Sequence, residues 1–287
     1  MWAKRGYAAI AMDLDGKGPD QSRMVNAGPP EKTYLTADWN YHAVAKIILA
    51  HSLIRSFQEV DETRTGITGI SVGGHLTMTV LGLDTRFAAA VPVYGCGYLH
   101  EIDQWNRSDL YTKLSEEEKC AWATLYDPSN YLNYATTPVL FIAGTNDSYY
   151  PLNTLVQTYL RYKGPRQYRI HPVTPHSYAH GATFPEVGIF MDQKLRNGAP
   201  LPVLHKPRID GRKVNVEVLS TTQLTDSQIH YTTDTGSYVE RSWSSESAEI
   251  KKTKVIAELP PQSPTAWFIT VTDERGAMAS TEVIVSK

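Results

Sequence analysis

A chain of 287 residues is long enough for one large domain, or for one large domain and one small domain. Hydrophobic residues make up 41% of the chain and charged residues 20%, and the 17 Tyr and 6 Trp exclude a mainly disordered chain. The 28 Lys and Arg against 30 Asp and Glu leave a net charge of −2. That balance lacks the basic excess of nucleic-acid-binding proteins, so we expect no nucleic-acid partner.

Cysteine content and hydropathy narrow the class of protein further. The two cysteines, Cys96 and Cys120, are too few for a disulfide framework or a four-thiolate zinc site, but they leave a single bridge open. No run of 18 apolar residues occurs and no signal-peptide pattern precedes Tyr7, so we expect no membrane association. The first residues resemble the middle of a domain, which leaves the compartment open. A segment upstream would permit a periplasmic or extracellular location.

The first eighty residues show the pattern of a parallel α/β unit. The apolar run YAAIAM at residues 7–12 predicts a buried strand, and apolar spacing over residues 38–57 predicts a long helix. A second short strand follows at residues 64–71 and ends in glycines, before a helix over residues 75–83 that is apolar on most sides. Strand, glycine turn and buried helix in this order favour an α/β fold class with a mostly parallel sheet.

The same alternation continues to about residue 196. Three further buried strands are predicted at residues 87–95, 138–144 and 168–173, and two further helices at residues 153–162 and 185–196. Residues 97–134 differ because they are rich in Trp, Tyr and charge, and Ser115 followed by three glutamates is typical of a helix start. This segment predicts a helical insertion over one face of the sheet.

The chain changes character near residue 204. The three prolines and one glycine of residues 198–208 are typical of a linker. Short β-branched or alternating runs follow at residues 214–220, 229–233, 254–260, 267–273 and 281–286. We therefore predict an α/β domain over residues 1–204 and, over residues 205–287, a small β-sandwich of the immunoglobulin-like or fibronectin type III-like kind.

The strongest catalytic signal is the run Gly69–Ile70–Ser71–Val72–Gly73–Gly74. A serine at a sharp turn from a strand into a helix needs glycines around it, because the backbone passes close to neighbouring elements there. The predicted strand before Ser71 and the predicted helix after it supply the context that this motif requires. The pattern therefore predicts that Ser71 is a nucleophile.

A serine nucleophile needs an imidazole base and a carboxylate that orients the imidazole. Asp147 follows the strand at residues 138–144, at the edge where open α/β sheets place their sites, although it also suits a turn or a helix cap. Two histidines after the last strand of the α/β part, His176 and His180, are candidates for the base. His176 lies nearer the end of the strand, and we favour it.

Four segments together resemble bacterial α/β-hydrolases of the prolyl oligopeptidase and acetyl xylan esterase group. The resemblance covers about residues 3–196 and rests on residues 3–7 with Met12–Asp13, residues 60–71, residues 127–131, and Gly144–Asp147 with Tyr150–Pro151. It implies an α/β-hydrolase fold in which Ser71 is the nucleophile, Asp147 the orienting acid and His176 the general base. The run His176–Tyr178 is also similar to the histidine segment of S-formylglutathione hydrolase-type esterases, which favours His176 over His180.

The chain departs from this group at its beginning. An α/β-hydrolase normally has several strands before the strand predicted at residues 7–12, and a loop after one of them supplies an N–H group to the oxyanion hole. We expect the backbone N–H of Val72 to be one oxyanion donor, while no HGG-like motif precedes Tyr7 to provide another. The open edge of the strand at residues 7–12 needs a cover. Pairing with a second copy of the chain is one hypothesis for that cover.

The resemblance implies a serine hydrolase that cleaves carboxylic esters, with small esters or acylated carbohydrates as substrates. A prolyl oligopeptidase-like peptidase is one alternative, because the group contains both activities. The other alternative is a truncated, weakly active hydrolase that serves as a binding protein, with Trp243 and Trp267 stacking on a sugar. Trp267 suits the core of the sandwich better, because alternating apolar residues follow it.

We expect neither a metal nor another cofactor. His176 and His180 have the i, i+4 spacing of some zinc-binding helices, but Pro175 and Gly181 around them indicate a loop. No glycine-rich loop of the nucleotide-binding form follows the first predicted strand. We therefore expect the side chains and backbone groups of the chain itself to supply the chemistry.

Overall fold

A parallel sheet forms the centre of the first part of the chain. The computed structural model describes residues 2–13, 39–107 and 112–286. Its parallel strands are β1 (Gly66–Ile70), β2 (Ala89–Val93), β3 (Val139–Gly144) and β4 (Arg166–His171), hydrogen-bonded in that order. Every residue of β2 and β3 is buried, because helices cover both faces of a parallel sheet and leave no face for polar side chains.

Seven α-helices lie within the described residues. They are α1 (Trp39–Arg55), α2 (Val72–Leu81), α3 (Asp103–Asn106), α4 (Glu116–Tyr126), α5 (Leu152–Arg161), α6 (Tyr178–Gly181) and α7 (Pro185–Arg196). Helix α2 is buried from Gly74 to Leu81, as its apolar sequence predicts. The segment predicted as a helical insertion contains α3 and α4, and Ser115 and Glu118 form a capping box at the start of α4. None of the helices seen is both long and apolar enough to cross a bilayer.

The last third of the chain forms short strands in two sheets. The strands are β5 (Val203–Leu204), β6 (Arg208–Asp210), β7 (Lys213–Leu219), β8 (Leu224–Thr232), β9 (Ser244–Ser247), β10 (Glu249–Lys251), β11 (Lys254–Glu258), β12 (Ala266–Asp273), β13 (Met278–Ser280) and β14 (Ile284–Val285). Alternate residues of β7 are buried, and Val214, Val216 and Val218 share a core with Trp267. Trp267 is 2% exposed, so it fills this core and is not available to stack on a sugar.

One of these two sheets continues the parallel sheet. Strand β13 is antiparallel to β4, with Ser280 opposite Tyr168, so a nine-stranded sheet runs in the order β1-β2-β3-β4-β13-β12-β8-β9, with β14 beside β12. The N–H of Ile170 also donates to the Ser280 hydroxyl at 3.1 Å. The four parallel strands β1–β4 with their flanking helices confirm the predicted α/β fold class. The division of the chain at residue 204 stays a prediction, and hydrogen bonds between β4 and β13 cross it.

The prediction of a strand at residues 7–12 is wrong. These residues have no regular secondary structure, and Ile10 is 43% exposed. Their anchors are side chains: Arg5 and Tyr7 bind the two carboxylate oxygens of Asp192 at 2.6 and 2.7 Å. An apolar run becomes a strand only where a neighbouring strand forms hydrogen bonds with its backbone N–H and C=O groups. Within the described residues, no strand pairs with residues 7–12. Pairing of two copies through this edge would require residues 7–12 to become a strand on association.

Candidate active site

Ser71 occupies the turn between β1 and α2. Its φ of 62° and ψ of −118° are unusual for a residue with a side chain, and its N–H donates to the Val93 carbonyl at 2.9 Å. A Cβ at Gly69 would lie 2.3 Å from the Gly73 carbonyl oxygen, and one at Gly74 would lie 2.6 Å from that of Val93. A Cβ at Gly73 would meet no atom within 4 Å. Space therefore requires two of the three glycines around the serine.

The structure brings Ser71, His176 and Asp147 together. The Nε2 atom of His176 lies 2.9 Å from the Ser71 Oγ, and its Nδ1 lies 2.8 Å from the Asp147 Oδ2. Asp147 is fully buried and Ser71 is 6% exposed, so water competes little with these two contacts. His180, the other candidate base, lies exposed on α6, and its N–H donates to the Ser177 hydroxyl. The geometry thus selects His176 as the imidazole that reaches both partners.

The loop after β3 holds the Asp147 carboxylate. The backbone N–H groups of Tyr149 and Tyr150 donate to its Oδ1 at 2.8 and 2.9 Å, which leaves Oδ2 for His176. The neighbouring Asn146 donates from its Nδ2 to the carbonyls of Val239 and Arg241, both at 2.9 Å. Residues from the C-terminal part of the chain therefore hold the loop that carries the acid.

Four tyrosine rings surround the imidazole of His176. Their centroids lie 5.0 to 5.9 Å from its own, and they belong to Tyr94, Tyr149, Tyr150 and Tyr178. Burial raises the pKa of Tyr94 to about 12 and that of Tyr150 well above its ordinary value of 10. These two phenols therefore stay neutral and keep their O–H groups at every pH near neutrality. Sequence reasoning placed none of the four at the site, although two of them follow Asp147 by two and three positions.

Helix α2 begins directly after Ser71. Val72 is the first residue of α2, and the first N–H groups of a helix have no acceptor within the helix. Val72, Tyr150 and Tyr178 border a cavity of about 1030 Å³ that also runs along β1. The helix dipole adds partial positive charge at this end. The backbone N–H of Val72 therefore stays the candidate donor to an anionic oxygen beside Ser71.

Comparison with known proteins finds a matching family and similar relatives. Residues 1–187 match the prolyl oligopeptidase family. The chain is 28% identical to S-formylglutathione hydrolase from Arabidopsis thaliana over 205 residues, which are 63% of this chain and 69% of that protein. It is 26% identical to the acetyl esterase Axe7A from Xylanibacter ruminicola over 193 residues, 61% of this chain and 44% of that protein. The chain thus spans two thirds of one relative and less than half of the other.

Two solved structures of similar fold are acetyl xylan esterases. Acetyl xylan esterase 1 from Thermoanaerobacterium sp. JW/SL YS485 superposes with a TM-score of 0.54 at 18% identity, over 66% of this chain and 67% of its own. The acetyl xylan esterase from Paenibacillus sp. R4 superposes with a TM-score of 0.52 at 21% identity, over 64% of each chain. These similarities confirm the α/β-hydrolase fold. Because the family match covers more than half of its residues, the chain belongs to the prolyl oligopeptidase family.

Proposed function

We propose that this protein hydrolyses carboxylic esters through Ser71, His176 and Asp147 and an acyl-enzyme intermediate. One observation carries the proposal: a single imidazole lies 2.9 Å from the serine hydroxyl and 2.8 Å from a buried carboxylate. A serine hydroxyl is a weak nucleophile at neutral pH, and this arrangement is what makes it reactive. The motif and the order serine, aspartate, histidine along the chain support the same roles.

The geometry defines the step that each group performs. As the Ser71 Oγ attacks the carbonyl carbon, the Nε2 of His176 takes the hydroxyl proton, and Asp147 stabilises the imidazolium through Nδ1. The carbonyl electron pair moves onto the oxygen, which the Val72 N–H stabilises. His176 then returns the proton to the leaving alcohol as the carbon–oxygen bond breaks. Water repeats the sequence on the acyl-enzyme and releases the carboxylic acid.

The relatives support an esterase over a peptidase. Those reported above are named as S-formylglutathione hydrolase, acetyl esterase and acetyl xylan esterases, which confirms the prediction of a carboxylic ester hydrolase at the level of enzyme class. Three of these four names specify an acetyl group. We therefore extend the proposal to small acetyl esters, including acetylated carbohydrates, as substrates. Because the family is named for a prolyl oligopeptidase, a prolyl peptide is the substrate to compare with these esters.

The test compares hydrolysis of p-nitrophenyl acetate, acetylated xylan and a prolyl p-nitroanilide by the wild type and by S71A, H176A and H180A. Loss of a nucleophile or its base lowers kcat by about 10⁴-fold or more in serine hydrolases, so S71A and H176A should be nearly inactive. H180A is the matched control, because His180 is exposed and lies outside the triad.

Three outcomes would contradict the proposal. Equal rates for the wild type and S71A would exclude Ser71 as the nucleophile and favour a binding protein. Loss of activity in H180A, with activity retained in H176A, would assign the general base to His180 instead of His176. Faster cleavage of the prolyl amide than of all the esters would make the chain a peptidase.

A further inference from the structure

The turn that leads from β4 to His176 contains a residue in an unusual conformation. Val173 has a φ of 52°, in the left-handed region that β-branched residues rarely adopt, and its side chain is exposed. Strain of this kind persists only where neighbouring groups impose it. The N–H of Val173 donates to the hydroxyl of Thr145 at 2.8 Å. The Thr145 side chain therefore helps to hold the chain three residues before the base.

Thr145 joins the end of β3 to this turn at two points. Its N–H donates to the His171 carbonyl at 3.0 Å, and its hydroxyl accepts the hydrogen bond from Val173. Thr145 is fully buried, so water does not replace either contact. The loop that carries Asp147 and the loop that carries His176 are thus bonded to each other close to the 2.8 Å contact between these two side chains.

The Thr145 hydroxyl also bonds to the side chain of the next residue. Its Oγ1 donates to the Asn146 Oδ1 at 2.7 Å, and the Asn146 Nδ2 donates to the carbonyls of Val239 and Arg241 at 2.9 Å. These two carbonyls lie in the connection between β8 and β9. Successive hydrogen bonds in such a chain strengthen one another. A continuous path of hydrogen bonds therefore runs from the β8–β9 connection, through the loop of the acid, to the loop of the base.

We propose that Thr145 and Asn146 are positioning residues that hold the acid and the base of the triad at hydrogen-bond distance from each other. This inference rests on the proposed function of Ser71. The imidazole of His176 has to reach the Ser71 Oγ and the Asp147 Oδ2 at the same time, so its loop has little freedom to shift. A displacement of about 1 Å in a catalytic group costs about 10²-fold in rate.

The test is T145V, with T158V as the matched control. Valine keeps the shape of threonine and removes only the hydroxyl, and the bond from the backbone N–H of residue 145 to the His171 carbonyl remains. Thr158 in α5 is also fully buried, and its hydroxyl accepts the Gly97 N–H at 2.9 Å and donates to the Thr154 carbonyl at 2.6 Å. Both variants therefore leave one buried backbone N–H without its acceptor, but only T145V does so between the acid and the base.

The two variants should differ in catalysis and not in stability. We expect similar losses in the urea midpoint, whereas kcat for p-nitrophenyl acetate should fall by about 10–100-fold in T145V and by less than about threefold in T158V. The KM of T145V should change by less than about threefold, because binding of the ester does not depend on the distance between acid and base. T145S keeps the hydroxyl and should have a kcat within about threefold of the wild type. Circular dichroism at the assay temperature checks that each variant is folded.

N146A tests the path beyond Thr145. Asn146 is half-buried, so its truncation should leave the fold intact while kcat falls by about three- to tenfold. If the two side chains act through the same hydrogen bonds, their effects do not multiply, and T145V/N146A should have a kcat within about twofold of T145V.

Four outcomes would overturn the inference. They are equal kcat in T145V and T158V, a loss in T145V that T145S does not restore, wild-type kcat in N146A, and multiplied losses in the double variant. N146A alone decides the question if T145V fails to fold. If S71A keeps wild-type activity the proposed function fails, whereas inactivity of S71A with full activity of T145V and N146A refutes only the positioning role.

Discussion

Replacing Gly74 by alanine tests the packing at the turn that carries Ser71, and G73A is its matched control. Both glycines belong to α2, so an added Cβ improves helix propensity by up to about 1 kcal/mol at either position. A Cβ at Gly74 would lie 2.6 Å from the Val93 carbonyl oxygen and 3.3 Å from that of Gly69, whereas one at Gly73 meets nothing within 4 Å. Both contacts at Gly74 are backbone atoms of strands, one in the buried β2 and one in β1. Overpacking of this kind costs about 1–3 kcal/mol.

The propensity gain is common to both variants and cancels when they are compared. We therefore expect G74A to unfold with a free energy about 1–3 kcal/mol below that of G73A. Urea denaturation followed by circular dichroism measures the difference, which should appear in the midpoint with unchanged slopes. G73A should match or exceed the wild type. Equal midpoints for the two variants would refute the reasoning that backbone contact, rather than the motif as such, requires glycine here.

Two further predictions concern buried titratable groups, namely two histidines and one ion pair. Acid should destabilise the protein because burial lowers the pKa of His75 and of His230 to about 4 from 6.5. The unfolded chain takes up these protons first, so the contribution is complete above pH 6.5 and is lost towards pH 4, at up to about 1.4 kcal/mol per pH unit for each histidine. Urea titrations of H230Q should show a shallower slope there, and an identical slope would contradict this. E186Q should lower the free energy of unfolding by about 3–5 kcal/mol, because the buried Arg169 then lacks the carboxylate whose Oε2 lies 3.5 Å from its Nε. In the same assay R169M/E186Q should lose less than E186Q alone, and a greater loss would refute the ion-pair explanation.

The local part of the site is readable in the sequence. Close approach of backbone to backbone restricts the residues around Ser71 to glycine at two positions, and a short apolar strand and an apolar helix flank the turn. The strands β2 and β3 and the helices α5 and α7 also follow from apolar runs and periodicity. Strand β4 forms near its predicted place, but only Arg169 and Ile170 in it are buried.

Contacts between distant segments are not readable in that way. The run at residues 7–12 has the composition of a strand, but a strand also needs a partner, and no local pattern reports one. The pairing of β13 with β4 joins segments that are more than a hundred residues apart. The choice between His176 and His180 likewise depends on how the loop after β4 approaches Ser71, and only the folded chain shows that.

The hydrogen bonds from Asn146 to Val239 and Arg241 change how the C-terminal strands should be regarded. These strands follow the α/β part of the chain and could be taken for a separate module that can be exchanged or deleted. Removing them would strip β4 of its neighbour and leave the loop of Asp147 without its outer support. A substitution near residue 240 is therefore a substitution at the back of the candidate active site.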